Sequence, residues 1–170
     1  HVGRVTGQRR KVGKGRIVQE GHKVALLSYG GRLGECLKAA KELTSLGLSA
    51  TVADARFAKP LDAVLLASLA AEHDLLVTVE EGQLAGGFGS AVLEALSEAG
   101  VTVKTRILGL PDWYIEQGPQ DLLRERYGLT ADGIYRSVKE LVTKSPIYSG
   151  ERESLSVSTD HLSHGDEQGS

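Results

Sequence analysis

From Lys23 onward, the apolar positions of the chain alternate between two periods. Val24-Ala25-Leu26-Leu27-Ser28-Tyr29 is a continuous apolar run that ends on Gly30-Gly31, the pattern of a strand covered on both faces. Leu33, Cys36, Leu37, Ala40 and Leu43 then recur at helical spacing. Gly47 stops that helix as a left-handed cap, and Leu48 closes the hydrophobic contact after it. A second strand over 50–55 leads to a helix near 61–72, with Leu61, Leu65, Leu66 and Leu69 on its inner face. Leu75-Leu76-Val77-Thr78-Val79 is the third strand and runs into Glu80-Glu81-Gly82. The next helix starts near Gly86 and ends at Gly100, with Val92, Ala95, Leu96 and Ala99 inward; a fourth strand covers about 101–108. Upstream, residues 13–21 read as a short edge strand ending in a turn. Strand starts fall about 25 to 28 residues apart, the spacing of right-handed βαβ crossovers. The pattern predicts a three-layer α/β/α domain: a mostly parallel five-stranded sheet, one antiparallel edge strand, and helices on both faces.

The flanks are less regular. Residues 109–119 form an irregular loop carrying Trp113, the only tryptophan. Pro119 then opens a short helix that Gly128 ends. Thr130 caps a final helix whose inner face is Ile134, Tyr135, Val138, Leu141 and Val142. From Ser145, small and charged residues replace the apolar period, which predicts a disordered tail over 145–170. Residues 1–12 are basic and read as a leader or linker, leaving 13–144 as the folded domain. That basic run is short and has no interleaved aromatic residue, so a nucleic-acid arm is the weaker reading.

Composition narrows the picture without choosing a chemistry. Of the 170 residues, 41 % are hydrophobic but only 5 % are aromatic, so the core is aliphatic. A net charge of -2 gives no general attraction to nucleic acid or membranes. No apolar run approaches the roughly 18 residues that span a bilayer. A single cysteine, Cys36, rules out an internal disulfide framework and suits a reducing compartment. The chain has no methionine and begins with His1, so it is expected to be a fragment or a processed piece of something longer.

In parallel sheets, ligands bind just beyond the carboxyl ends of the strands. Here those ends gather Ser28-Tyr29, Arg56, Glu80-Glu81 and Asp112. Arg56 carries a planar fork of donors that matches phosphate or carboxylate; alternatively it is tied to Asp54 for structure. Glu80 and Glu81 could serve as general acid or base, but a pairing or interface role suits them better, because such work needs a substrate within hydrogen-bond reach and the sequence shows none. Gln83 to Ser90 is a glycine-rich turn before a helix, where an anion could bind. It lacks both a G-x-G-x-x-G fingerprint and a P-loop lysine, so close packing is the better account. Cys36 reads as a packed small hydrophobe. The histidines, His22 and His73 among them, are scattered without metal-ligand spacing.

As a set, these segments resemble a known family. Gly13-Lys14-Gly15-Arg16-Ile17, Val24 to Gly30, Asp54-Ala55-Arg56-Phe57-Ala58-Lys59-Pro60-Leu61-Asp62, Thr78 to Gly82, Gly86 to Ser90, and Leu110-Pro111-Asp112 with Tyr114-Ile115 and Gln117-Gly118 occur in that order. Over residues 13 to 142 they are similar to the C-terminal domain of the 1-deoxy-D-xylulose 5-phosphate synthase family, within the wider transketolase superfamily. The resemblance implies a homodimeric thiamine-diphosphate enzyme that condenses pyruvate with glyceraldehyde 3-phosphate and releases carbon dioxide, for isoprenoid and thiamine synthesis. It implies the bacterial cytoplasm or the plastid stroma as the compartment. Thiamine diphosphate and Mg2+ would be held by two preceding domains that are absent here, so this chain would supply no catalytic, cofactor or metal residue and would be inactive alone. Its implied contribution is Arg56, binding the acceptor's phosphate. The alternatives are the C-terminal domain of a 2-oxoacid dehydrogenase β subunit, or a non-catalytic interaction module of the same fold.

Overall fold

A computed structural model describes residues 11–111 and 119–144. The 145–170 tail, the Trp113 loop, Asp112 and most of the basic leader lie outside the described residues.

Strands β1 (Arg16–Gln19), β2 (Lys23–Ser28), β3 (Ala50–Asp54), β4 (His73–Gln83) and β5 (Lys104–Leu110) alternate with helices α1 (Leu33–Leu43), α2 (Ala63–Glu72), α3 (Phe88–Glu98), α4 (Gln120–Arg126) and α5 (Ala131–Thr143). They form one sheet in the order β1-β3-β2-β4-β5. β2, β3, β4 and β5 pair in parallel, and β1 pairs antiparallel with β3. This is the predicted mixed sheet with an antiparallel edge.

The continuous apolar runs are explained by burial on both faces. Val24 and Leu26 of β2 pack with Val52, Val77 and Val79 against Cys36, Ala40 and Leu43 of α1 and Ile134 and Val138 of α5. The intervening Ala25 and Leu27 turn the other way, onto Leu66 and Leu69 of α2 and Phe88, Val92 and Leu96 of α3. Adjacent residues of one strand thus serve opposite layers, which is why no polar alternation marks these strands.

Several boundaries differ from the sequence pattern; β5, for one, starts at Lys104 rather than near 101. β4 runs on through Glu80, Glu81 and Gly82 to Gln83, beyond Val79 where the apolar run ends. Its last pairing, Gln83 with Leu110, follows a register shift, so the extension is held by the far end of β5. α3 begins at Phe88 rather than near Gly86, because Gly86 takes a φ of 66°, outside a right-handed helix. Gly47 and Thr130 behave as the pattern predicts. Gly47 closes a short 3-10 turn (Thr44–Leu46) in the left-handed region, and the Thr130 side chain accepts from the Gly133 N–H.

The α1–α5 contact has a polar clasp that hydrophobic spacing does not reveal. Glu35 Oε2 accepts the Ala131 N–H at 2.7 Å, so α1 caps the first turn of α5. That bond, ahead of smaller contributions, holds the Glu35 carboxyl below its ordinary value of 4.5. Asp62 is also shifted down from 3.8: burial pushes it up, but the N–H groups of Leu65 and Gly15 and the Lys14 ammonium outweigh that. Groups shifted down make stability that is complete above the unfolded value and lost as pH falls through the folded one. The melting temperature of this chain is therefore expected to be flat above about pH 5 and to drop below about pH 4.5. Glu35→Gln should lower the neutral-pH melting temperature by about 3–6 °C, for about 1 kcal/mol, and flatten the acid limb. A variant with an unchanged acid limb would show the clasp to be unimportant.

Candidate functional site

The parallel strands bring Asp54 and Arg56 of β3 and its exit, Tyr29 beyond β2, and Glu80-Glu81 of β4 to the carboxyl edge of the sheet. The backbone continues the ladder there: Ala55 N–H donates to Ser28 O at 2.9 Å and Tyr29 N–H to Val79 O at 3.0 Å. Tyr29 stacks on Phe88 with ring centroids 4.8 Å apart.

Arg56 sits on a turn that its neighbours determine. Its φ is 61°, a conformation that a residue with a Cβ rarely takes. Two bonds hold it: Arg56 N–H donates to Asp54 Oδ1 at 3.1 Å, and Phe57 N–H spans the residue to Ala55 O at 2.7 Å. The guanidinium Nε lies 3.9 Å from Asp54 Oδ2, and the side chain is 25 % exposed. Asp54 is therefore both the Asx-type clamp of the turn and a loose counter-ion. The two readings of Arg56, anion binder and partner of Asp54, are not exclusive, because among the described residues Asp54 meets the fork only through Nε.

The Gly-Lys-Gly segment locks onto the same turn. Gly15 N–H donates to Asp62 Oδ2 at 3.1 Å, and Lys14 Nζ lies 3.5 Å from Asp62 Oδ1. A Cβ on Gly15 would come within 2.6 Å of Leu65 Cδ2 and 2.9 Å of Asp54 O. Only glycine allows this approach, which sets Arg16 of β1 opposite Asp54. Two motifs far apart in the chain form one structural unit. The Lys59–Pro60 peptide, within the second of them, is cis.

Glu80 is not placed for proton transfer. It is 1 % exposed, and its carboxylate accepts the Phe88 N–H at 2.7 Å and the Gly89 N–H at 2.9 Å. The amino end of α3 does bind an anion, and that anion is the chain's own side chain. Gly89 meets the packing account of the glycine-rich turn: a Cβ there would collide with Ile107 and lie 2.8 Å from Thr78 Oγ1. Glu81 faces the other way, with Oε1 2.8 Å from both Arg32 Nε and Arg124 Nε. Arg32 also donates to Leu129 O at 3.3 Å, tying the start of α1 to the α4–α5 turn.

Arg32 and Arg124 were missed in the sequence reading. The signal for Arg32 was available, since it follows the Gly30-Gly31 turn at a strand end; nothing marks Arg124. His73, one of the histidines without metal-ligand spacing, is buried. Its ring bridges Leu69 O at 2.8 Å and Thr51 Oγ1 at 2.7 Å. It lies at the amino edge, opposite the site, and its role is packing. The Cys36 thiol is pushed up to about 12 by burial, and is an inert part of the core.

A family model described as the transketolase C-terminal domain matches residues 13–134. The chain belongs to that family.

Among solved structures, this transketolase C-terminal domain is similar to a protein described as a split gene transketolase in an inactive β4 tetramer. The identity is 37 % and the TM-score 0.73, over 80 % of this chain and 44 % of that one. The domain thus spans under half the length of that relative. It also shares its fold with the transketolase of Campylobacter jejuni subsp. jejuni NCTC 11168, at 16 % identity and TM-score 0.55, over 75 % of this chain and 18 % of the other. The 2-oxoglutarate:ferredoxin oxidoreductase of Magnetococcus marinus has the fold too, at 16 % identity and TM-score 0.50, over 75 % and 19 % of the two chains.

Proposed function

We propose that this chain is the C-terminal domain of a 1-deoxy-D-xylulose 5-phosphate synthase, and that it holds the phosphate of the aldehyde acceptor through Arg56. In this reading the whole protein is a homodimeric thiamine-diphosphate enzyme acting on pyruvate and glyceraldehyde 3-phosphate. The observation that carries it is the Arg56 turn. A cation whose guanidinium, among the described residues, meets a carboxylate only at 3.9 Å, held in a left-handed conformation at the carboxyl edge, is a costly arrangement to keep for structure alone.

The donor set does not fit thiamine diphosphate and its metal ion. Among the described residues no group of three or more His, Cys, Asp or Glu side chains could hold a metal. The nearby carboxylates are committed: Glu80 to α3, Glu81 to two arginines, Asp54 to the Arg56 turn. When bound, that cofactor would supply the decarboxylation and carbon-transfer chemistry; no step of it is assigned to this chain. The chain's part is to bind and orient: the Arg56 fork would fix the acceptor's phosphate and so place its carbonyl against groups held elsewhere.

The similarity to a split gene transketolase favours a second reading, in which the whole protein transfers carbon units between sugar phosphates. Assay of the intact protein separates the two. Release of carbon dioxide from pyruvate on addition of glyceraldehyde 3-phosphate, with formation of the five-carbon ketose phosphate, is the expected result. Transfer from a ketose phosphate donor without carbon dioxide would establish the second reading. Dependence on a lipoyl acyltransferase core would instead establish a 2-oxoacid dehydrogenase subunit.

A further inference from the structure

Asp54 faces two arginines, only one of which belongs to the proposed phosphate site. Its Oδ2 lies 3.4 Å from Arg16 Nε, from the antiparallel edge strand, and 3.9 Å from Arg56 Nε. Its Oδ1 is occupied by the Arg56 backbone N–H. The carboxylate is 14 % exposed, against 51 % for the Arg16 side chain. One negative charge therefore stands between two positive ones, with the outer arginine the closer.

The consequence is a problem of charge allocation. The Arg56 turn needs the Asp54 oxygen as an acceptor, yet a full negative charge beside Arg56 competes with an incoming phosphate for its guanidinium. We propose that Arg16 resolves this as a positioning residue: it takes up the charge of Asp54, so that Asp54 clamps the Arg56 backbone while the Arg56 fork stays available to the phosphorylated acceptor. Arg16 touches no substrate, and acts only through Asp54. The glycine approach at Gly15 and the antiparallel pairing of Arg16 with Asp54 have a functional consequence in this arrangement: they deliver a second cation to the rear of the site. This inference rests on the reading of Arg56 as the phosphate ligand.

The test uses the intact protein with glyceraldehyde 3-phosphate and, in parallel, unphosphorylated glyceraldehyde. Arg16→Gln removes the outer cation from an exposed strand and leaves the fold intact. It is expected to raise KM for the phosphorylated aldehyde about two- to fivefold, with kcat, KM for pyruvate and the constants for glyceraldehyde unmoved. Adding Asp54→Asn should return KM to about the parent value, because the amide keeps an oxygen for the Arg56 N–H and carries no charge. An unchanged KM in Arg16→Gln overturns the proposal, as does an increase that Asp54→Asn fails to relieve. Arg56→Ala is measured alongside. If it leaves phosphate selectivity intact, the functional reading itself has failed; if it abolishes selectivity while Arg16→Gln is silent, only the role of Arg16 has.

Discussion

Arg56→Ala in the intact protein is expected to raise KM for glyceraldehyde 3-phosphate about ten- to a hundredfold while moving KM for pyruvate by less than about twofold. A charge-assisted contact to phosphate contributes about 1.5–3 kcal/mol, which corresponds to that range. The effect should concentrate on the phosphorylated substrate, because among the described residues the Arg56 guanidinium meets a carboxylate only at 3.9 Å, on Asp54. Alanine also carries a Cβ, so it inherits the cost of a φ of 61°. Arg56→Lys is the useful control. It keeps the charge and loses the planar fork, and an intermediate KM is expected from it. Equal loss for phosphorylated and unphosphorylated aldehydes would show that Arg56 supports the turn and nothing more.

Glu80→Ala is expected to lower the stability of this chain by about 3–5 kcal/mol, or roughly 10–20 °C in melting temperature. The carboxylate is fully enclosed and satisfies two amides at the start of α3. Alanine would leave both N–H groups buried without acceptors, at about 1–3 kcal/mol each. It would also empty a space that Gly82 and Gly109 closely wall: a Cβ at either position would lie 2.9 Å from Glu80 Oε2 or 3.2 Å from Glu80 Cγ. Glu80→Gln should recover only part of the loss, because its amide can accept from one of the two N–H groups and opposes the other with a donor. Urea or thermal unfolding followed by circular dichroism decides the matter. Melting within about 3 °C of the parent would mean that α3 is capped some other way.

The fold was legible because its signals are local and repeated. Runs such as Val24 to Leu27 show full burial on their face, and Gly47 and Thr130 end and begin helices by backbone chemistry that acts over a few residues. The site was only half legible. Arg56 stood out by its place at a strand end, and the same rule pointed equally to Glu80 and Glu81. Nothing in the sequence separates these last two. Adjacent strand residues point to opposite faces, so Glu80 turns onto α3 and Glu81 onto Arg32 and Arg124. Which face receives a helix amino end and which receives arginines depends on how α3 and α4 pack.

What the sequence by itself determined, then, is the alternation of strands and helices, the parallel class of the sheet, and the presence of an arginine at the carboxyl end of a strand. These follow from periodicity and from the covalent character of single residues. The tertiary structure alone decided the partners. Arg16 and Arg56 share Asp54 because an antiparallel edge strand lies beside β3. Glu35 caps a helix 96 residues away, and Glu80 fills the anion site at the start of α3. Charges act through space at a few ångströms, and the chain brings distant residues to that range only after the apolar layers have packed.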